Sequence, residues 1–407
     1  MTGKSSFDNQ TNNKPLLSIL IPTKNREEYT LQVVNHILNI KDNRFQLVIQ
    51  DNSNTPKLEN LLAIYLEDTR LKYSYHKGIL SFVDNFSLGI SECNGEYVTI
   101  IGDDDSINPQ LIDIAGYALK KEIEAVLPSL SLVYYWPKSS VSTDDNGILN
   151  ISDFSCRVKY CNPKKEIIKL LRNGCQNYLS YELAKAYHGM VKRSILLEIE
   201  NRAGKFIGGL SPDIYLSISI SLIVKRLLVI DYPLTISGIC HKSGSADSAS
   251  GKHVGNLGQA PHLNGHINYE WSDKIPSFYS VETIWGDSAL AALKELNVTG
   301  LLKYFSVDAI SAGCMKLYPE YKKIILENLA RNHKISKNSI LLRIFLLYGS
   351  LINQYTILIN KIRYKIFYNK THMTYDNIPD IEAAGEIILR NIEKKTKLIF
   401  KNIENIN

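Results

Sequence analysis

The sequence predicts an α/β protein: a mostly parallel, Rossmann-like sheet flanked by helices, with a helical carboxy-terminal region. Three observations carry that prediction. Continuous apolar runs recur early in the chain, "LLSILIP" (16–22), "FQLVIQ" (45–50), "LKYSY" (71–75) and "YVTII" (97–101), as strands buried on both faces do. Helical stretches lie between them, and strand-helix alternation favours parallel pairing. The polar clusters "PTKNR", "DNSN" and "GDDDS" follow the first, second and fourth runs, at the strand ends where open α/β sheets collect ligands.

Taken in order, a polar tail (1–15) precedes the first strand. "EEYTLQVVNHIL" then sets Tyr29, Val33, Ile37 and Leu31, Val34, Leu38 on adjoining stripes of a helix. "PKLENLLAIYL" opens a second helix with Pro56 in its first turn. Beyond the fourth strand, "EAVLPSLSLVYYW" (124–136) reads as one further strand. "NPKKEIIKLLRNG" reads as a helix capped by Asn162 and stopped by Gly174, and "RSILLEIENRAG" as one ending at Gly204. In "LSPDIYLSISISLIVK", Ser211 is the expected N-cap and Pro212 the first helical residue, so Asp213 falls in the first turn. Residues 242–273, rich in Gly, Ser, His and Asn, read as a mobile loop able to close over a ligand. From about residue 275 the pattern is helical.

At 407 residues, 44% hydrophobic and 22% charged, the chain has ample core for two or three domains. Its six cysteines form no CxxC pair, and with no apolar amino-terminal segment they read as reduced thiols of a cytoplasmic protein. A net charge of +6 favours anionic partners but is no dense basic stripe, so nucleic acid is not expected. "SILLRIFLLYGSLINQYTILINKIRYKIF" (339–367) is interrupted by Arg343, Asn353 and Gln354, so it falls short of a spanning helix and can lie on a membrane but not cross one. A buried helical core is the favoured reading of it, and peripheral contact with an anionic membrane the alternative.

Asp103, Asp104 and Asp105 end the fourth strand. Carboxylates so close raise one another's pKa unless something positive sits among them. A divalent cation is the expected answer, and oxygen ligands suit Mn2+ or Mg2+. No glycine lies between Gly3 and Gly78, so a glycine-rich phosphate loop is absent after the first strand. A metal held by Asp103 and Asp105 would handle phosphates instead. Ile107 and Ile114 occupy ligand positions of a calcium loop, which excludes that reading. An aspartyl-nucleophile phosphatase stays as an alternative, although such enzymes carry the motif on their first strand. His262 and His266 have zinc-helix spacing but lack its glutamate and enclose Gly265, so a loop is expected. His188 is open between an acceptor-side and a structural role.

Together "LSILIPTKNR", "LVIQDNSNT", "SFVDNFSLGISECNGEYVTIIGDDDSINP" and "LSPDIYLSISI" resemble the family 2 glycosyltransferases of the GT-A fold, of the bacterial surface-polysaccharide type. The resemblance spans about residues 16–245. It implies an inverting, metal-dependent, hexosyltransferase-like enzyme that moves a sugar from a nucleotide-sugar, with UDP the expected carrier, to a hydroxyl of a glycan or lipid-linked glycan. It also implies a place in the cytoplasm, peripheral on the inner face of the membrane. Residues 16–125 would form the nucleotide-sugar-binding half, 126–245 the acceptor half, 246–274 the mobile loop and 275–407 the helical region. By resemblance, Pro22, Thr23 and Arg26 edge the nucleotide pocket, Asp51 accepts from the base, and Asp84 and Asn85 lie beside ribose and base. Asp103 sits near ribose or metal with Asp104 beside it. Asp105 is the direct metal ligand, His241 reaches the metal or diphosphate, and Asp213 is the general base. Relatives carry Glu-Asp where this chain has Pro212 and Asp213. A non-catalytic sugar-nucleotide-binding protein is the other alternative.

Overall fold

In a computed structural model, which describes residues 14–139, 142, 145–241, 254–265, 269–367 and 372–406, the predicted strands form one large sheet. β1 (Leu17–Thr23) is followed by α1 (Glu27–Leu38), β2 (Phe45–Asp51), α2 (Lys57–Leu62), β3 (Leu71–Tyr75), α3 (Phe82–Glu92) and β4 (Tyr97–Ile100). These four strands lie in the order β3-β2-β1-β4 and pair in parallel. Alternation decides which side each residue covers: Leu17, Ile19 and Ile21 of β1 share a core with Val33 and Ile37 of α1, whereas Leu20 packs with Val83 and Ile90 of α3. Both faces are buried, which explains why β1 and β2 read as unbroken apolar runs.

After the aspartates come β5 (Ser106–Ile107), α4 (Gln110–Lys120), β6 (Ala125–Pro128), β7 (Leu132–Tyr135), β8 (Gly147–Ser152), β9 (Val158–Cys161) and α5 (Pro163–Arg172). The single strand expected over 124–136 is thus two. Pro128 has no N–H to extend a ladder, and the chain turns there from the large sheet into a second, five-stranded one. Next are β10 (Met190–Lys192), α6 (Arg193–Ala203), α7 (Pro212–Ile223), β11 (Leu227–Ile230) and β12 (Thr235–Ile239). The large sheet continues past β4 as β10-β6-β11-β9, with β10 antiparallel to both neighbours, β11 parallel to β6 and β9 antiparallel at the edge. Helix α7 is buried nearly all round, which its uniformly apolar and small residues permit.

The remainder comprises β13 (Gly255–Asn256), β14 (Phe278–Tyr279), α8 (Val281–Glu295), α9 (Val307–Leu317), α10 (Lys322–His333), α11 (Leu341–Phe367), β15 (His372–Ile378) and α12 (Ile381–Glu404). The helical region therefore includes two strands, the short β14 and β15, and β15 pairs antiparallel with β8 in the second sheet. Ile381, Ala384, Ile388 and Ile392 bring α12 back onto the core beneath α1. Of the expected mobile loop, 242–253 and 266–268, with Lys242 and His266, lie outside the described residues, as does the tail up to residue 13. Helix α11 departs from the favoured buried reading: Leu341–Ile362 is long and apolar enough to cross a membrane by length and composition, and its most apolar window is only 11% buried.

Candidate active site

The carboxyl ends of β1 and β4 open into a cleft of about 1790 Å³ that extends to α7, α8 and α11. Thr23, the last residue of β1, donates its hydroxyl to Asp103 Oδ2 at 2.7 Å. Arg26, at the start of α1, donates Nη1 to Asp103 Oδ1 at 2.8 Å and stands 3.7 Å from Asp104 Oδ1. Parallel pairing of β1 with β4 is what brings these groups, some 80 residues apart, to one place. Pro22, Thr23, Arg26, Asn85 and the three aspartates all line the cleft.

The aspartates differ sharply in their partners. Asp105 Oδ2 accepts from the Gly102 amide at 2.7 Å, from Tyr187 Oη at 3.2 Å and lies 3.1 Å from His188 Nε2; Oδ1 accepts from the Gly238 amide at 2.7 Å. Burial alone would raise its pKa, but His188 and the two amides hold the carboxyl below its usual value. Asp105 thereby braces β12 and the segment just before β10 against the loop. With three donors on Oδ2 and one on Oδ1, Asp105 has little acceptor capacity left for its expected part as the direct metal ligand, and Asp104 is the better supplied with free lone pairs. The backbone approach demands glycine at 238, where a Cβ would sit 1.7 Å from the Asp104 carbonyl oxygen.

Asp104 is the under-supplied member. Its Oδ2 accepts from the Cys240 amide at 3.2 Å, and the Cys240 side chain also bonds to the carboxyl. Burial, with Asp105 and Asp103 on either side, pushes its carboxyl up to about 7. Burial also raises Asp103, against the opposing pull of Arg26 and Thr23. A hard divalent cation fits this excess of negative charge, and free lone pairs remain on Asp104. Among the described residues no three His, Cys, Asp or Glu side chains converge as a ligand set. One or two carboxylates with diphosphate oxygens is, however, the usual way Mg2+ is held.

Other expectations fare unequally. Asp51 is wholly buried, its carboxylate taken by the Ser53 amide at 2.7 Å and Tyr73 Oη at 2.9 Å, so it offers no oxygen to a base; its neighbour Asn52 lines the cleft instead. Asp84 is exposed, off the cleft wall, and bonded to Ser81 Oγ at 2.6 Å at the cap of α3. Asn85 faces the cleft with Oδ1 buried and without a hydrogen-bond partner, an acceptor awaiting a donor. His241 is exposed and bonded through Nδ1 to Tyr29 Oη at 2.8 Å, away from the cleft wall, which contradicts its part as a metal ligand. His188 lines the cleft and is at the same time a partner of Asp105 and, at 2.9 Å, of Thr235 Oγ1.

At the far end of the cleft, Pro212 opens α7 and Asp213 follows in its first turn. Ser211 occupies the N-cap position but makes no cap bond; its hydroxyl donates to Asp213 Oδ1 instead. Tyr178 Oη donates to Asp213 Oδ2 at 2.8 Å. Lys185, on the same wall, is buried with its ammonium 5.1 Å from the Tyr178 ring centre. Burial lowers its pKa to about 8 against the pull of Asp213. Tyr178, Lys185 and Tyr187 were not legible in advance: the segment between α5 and β10 has no periodicity and carries Cys175, Asn177 and His188 at left-handed φ.

Residues 18–135 match the family model described as glycosyl transferase family 2. Glycosyltransferase GlyG of Streptococcus pneumoniae serotype 4 is 25% identical over 99 residues, 24% of this chain and 33% of that protein. Abequosyltransferase RfbV of Salmonella typhimurium is 29% identical over 116 residues, 28% of this chain and 35% of that protein. The matches thus span about a third of the length of these relatives. Among solved structures, S. aureus TarS 1–349 in complex with UDP-GlcNAc aligns with 96% of this chain and 88% of its own at 13% identity and a TM-score of 0.42. The segment that carries Thr23, Arg26 and the three aspartates is thus the part of the chain that matches the family 2 glycosyltransferases.

Proposed function

We propose that the protein transfers a sugar, with inversion, from a UDP-sugar to a hydroxyl of a glycan or lipid-linked glycan in bacterial surface polysaccharide synthesis. One observation carries the reading: the charge-hungry aspartates and the singly placed Asp213 stand at two ends of one cleft. Asp104, with Asp103 beside it, would hold Mn2+ or Mg2+, which when bound offsets the charge developing on the diphosphate. Arg26 supplies fixed positive charge at the same end. Asn85, which lines the same cleft, would lie beside ribose and base, as the resemblance implies for it, without Asp51 or Asp84.

Asp213 would act on the acceptor. The acceptor oxygen bonds to the anomeric carbon as the carbon-oxygen bond to the diphosphate breaks; the bonding pair leaves with the diphosphate and the acceptor's proton passes to Asp213. Tyr178 and Ser211 orient the carboxylate through their hydroxyls. A cytoplasmic place, with the enzyme peripheral on the inner face of the membrane, belongs to the same reading. Asp213→Asn is expected to cut turnover by about 10²- to 10⁴-fold and leave UDP affinity nearly unchanged. Turnover and UDP-induced thermal shift measured on the one variant check this. Near-normal turnover would remove Asp213 from the chemistry.

A further inference from the structure

Helix α11 leaves an apolar face without cover beside the cleft. Ile344, Leu347, Tyr348, Leu351, Tyr355 and Leu358 are each 55–67% exposed, far more contiguous apolar surface than scattered exposed leucines explain. The opposite face is fastened down. Asn353 donates to the Ala309 carbonyl of α9 at 3.0 Å and accepts from Gln176 at 3.1 Å, and Phe345 stacks on His333. A helix pinned in this way cannot leave the domain to span a bilayer, despite its length.

Charge selects what covers it. Between residues 328 and 375 the chain has eight Lys and Arg and no Asp or Glu, and Arg343 and Lys361 are exposed near either end of the apolar face. Two copies of this face packed together would set cation against cation with no acidic side chain to answer. An anionic lipid surface supplies the missing charge and accepts the apolar stripe, while the tyrosine hydroxyls suit the headgroup level. Moreover, Ile357, Asn360 and Lys361 of the same helix line the cleft.

We infer that α11 is an interfacial docking helix that seats the mouth of the cleft on an anionic membrane, so that the acceptor enters as the head of a molecule whose tail stays in the bilayer. The docking stands on the helix alone; the lipid-linked acceptor rests on the transferase reading above.

The test uses the full chain and vesicles of phosphatidylcholine with and without phosphatidylglycerol, at low and high salt. The wild type is expected to co-sediment with the anionic vesicles and to be released by salt. A variant carrying Leu351→Glu, Tyr355→Glu and Leu358→Glu is expected to lose at least ~10-fold in binding with its melting temperature and UDP-induced thermal shift unchanged. Absence of wild-type binding to anionic vesicles overturns the inference, as does equal binding by the variant. So does a concentration-dependent dimer, broken by the same substitutions, in a protein that ignores vesicles. Vesicle binding together with no response to UDP would leave the docking helix standing and remove the transferase reading instead.

Discussion

Asp104 and Asp105 are neighbours in sequence with opposite electrostatic circumstances. Four donors converge on Asp105, whereas Asp104 has the amide and side chain of Cys240 and an arginine at a distance. Whichever way its amide is turned, Asn at 105 sets an NH₂ against at least one donor, the Gly238 amide at the least, so Asp105→Asn is expected to cost about 1–3 kcal/mol of stability. Asp104→Asn removes a charge that two flanking carboxylates oppose, so its stability should hold or rise while manganese-dependent UDP binding disappears. Melting temperature and UDP titration with and without Mn2+ distinguish the two. If Asp105→Asn stays fully stable and it alone loses the metal response, the assignment reverses. A sequence reader sees "DDD" and cannot tell these members apart, because the difference is made by Gly238 and His188, more than 80 residues downstream.

At the level of elements, what was legible followed from periodicity. The four parallel strands, α1 and the Ser-Pro-Asp start of α7 each carry a local signature, and each is found where its signature lies. What escaped were elements whose register is decided by distant partners: β7, β12 and β15 belong to a second sheet held together by long-range pairing. Asp51 escaped for a related reason, since its burial depends on Tyr73 in the neighbouring strand. Helix docking gives a test of such distant decisions. A Cβ on Gly385 of α12 would lie 2.4 Å from His36 Nε2 of α1, whereas a Cβ on Gly116 of α4 would meet nothing closer than 3.7 Å. Both are helix-interior glycines, for which alanine brings about 0.5–1 kcal/mol of helix propensity. Gly116→Ala should therefore stabilise by about that amount, while overpacking in Gly385→Ala should outweigh the gain and destabilise by about 1–3 kcal/mol. Urea unfolding of both variants checks the contrast; a stabilised Gly385→Ala would mean that α12 docks loosely.

On the scale of the whole molecule, His36 joins three parts of the chain. It lies in α1, its Nδ1 is 2.6 Å from Ser106 Oγ in β5, and it faces Gly385 of α12. The carboxy-terminal helix, the first helix and the strand just after the aspartates therefore meet at one imidazole. Burial lowers the pKa of His36 to about 4, against a raising influence from Asp380. In the unfolded chain the same group protonates near 6.5. Between those values the unfolded state holds a proton that the folded state refuses, so folding stability falls as pH drops from about 6.5 to about 4 and the loss levels off below that. The full contribution is at most about 3 kcal/mol. Wild type and His36→Gln unfolded in urea at several pH values through this window should show a steeper loss in the wild type, whatever the neutral-pH stability of the variant. Equal pH slopes in the two proteins would show that His36 charges without disturbing the junction, and that α12 is held to the core by its isoleucines alone.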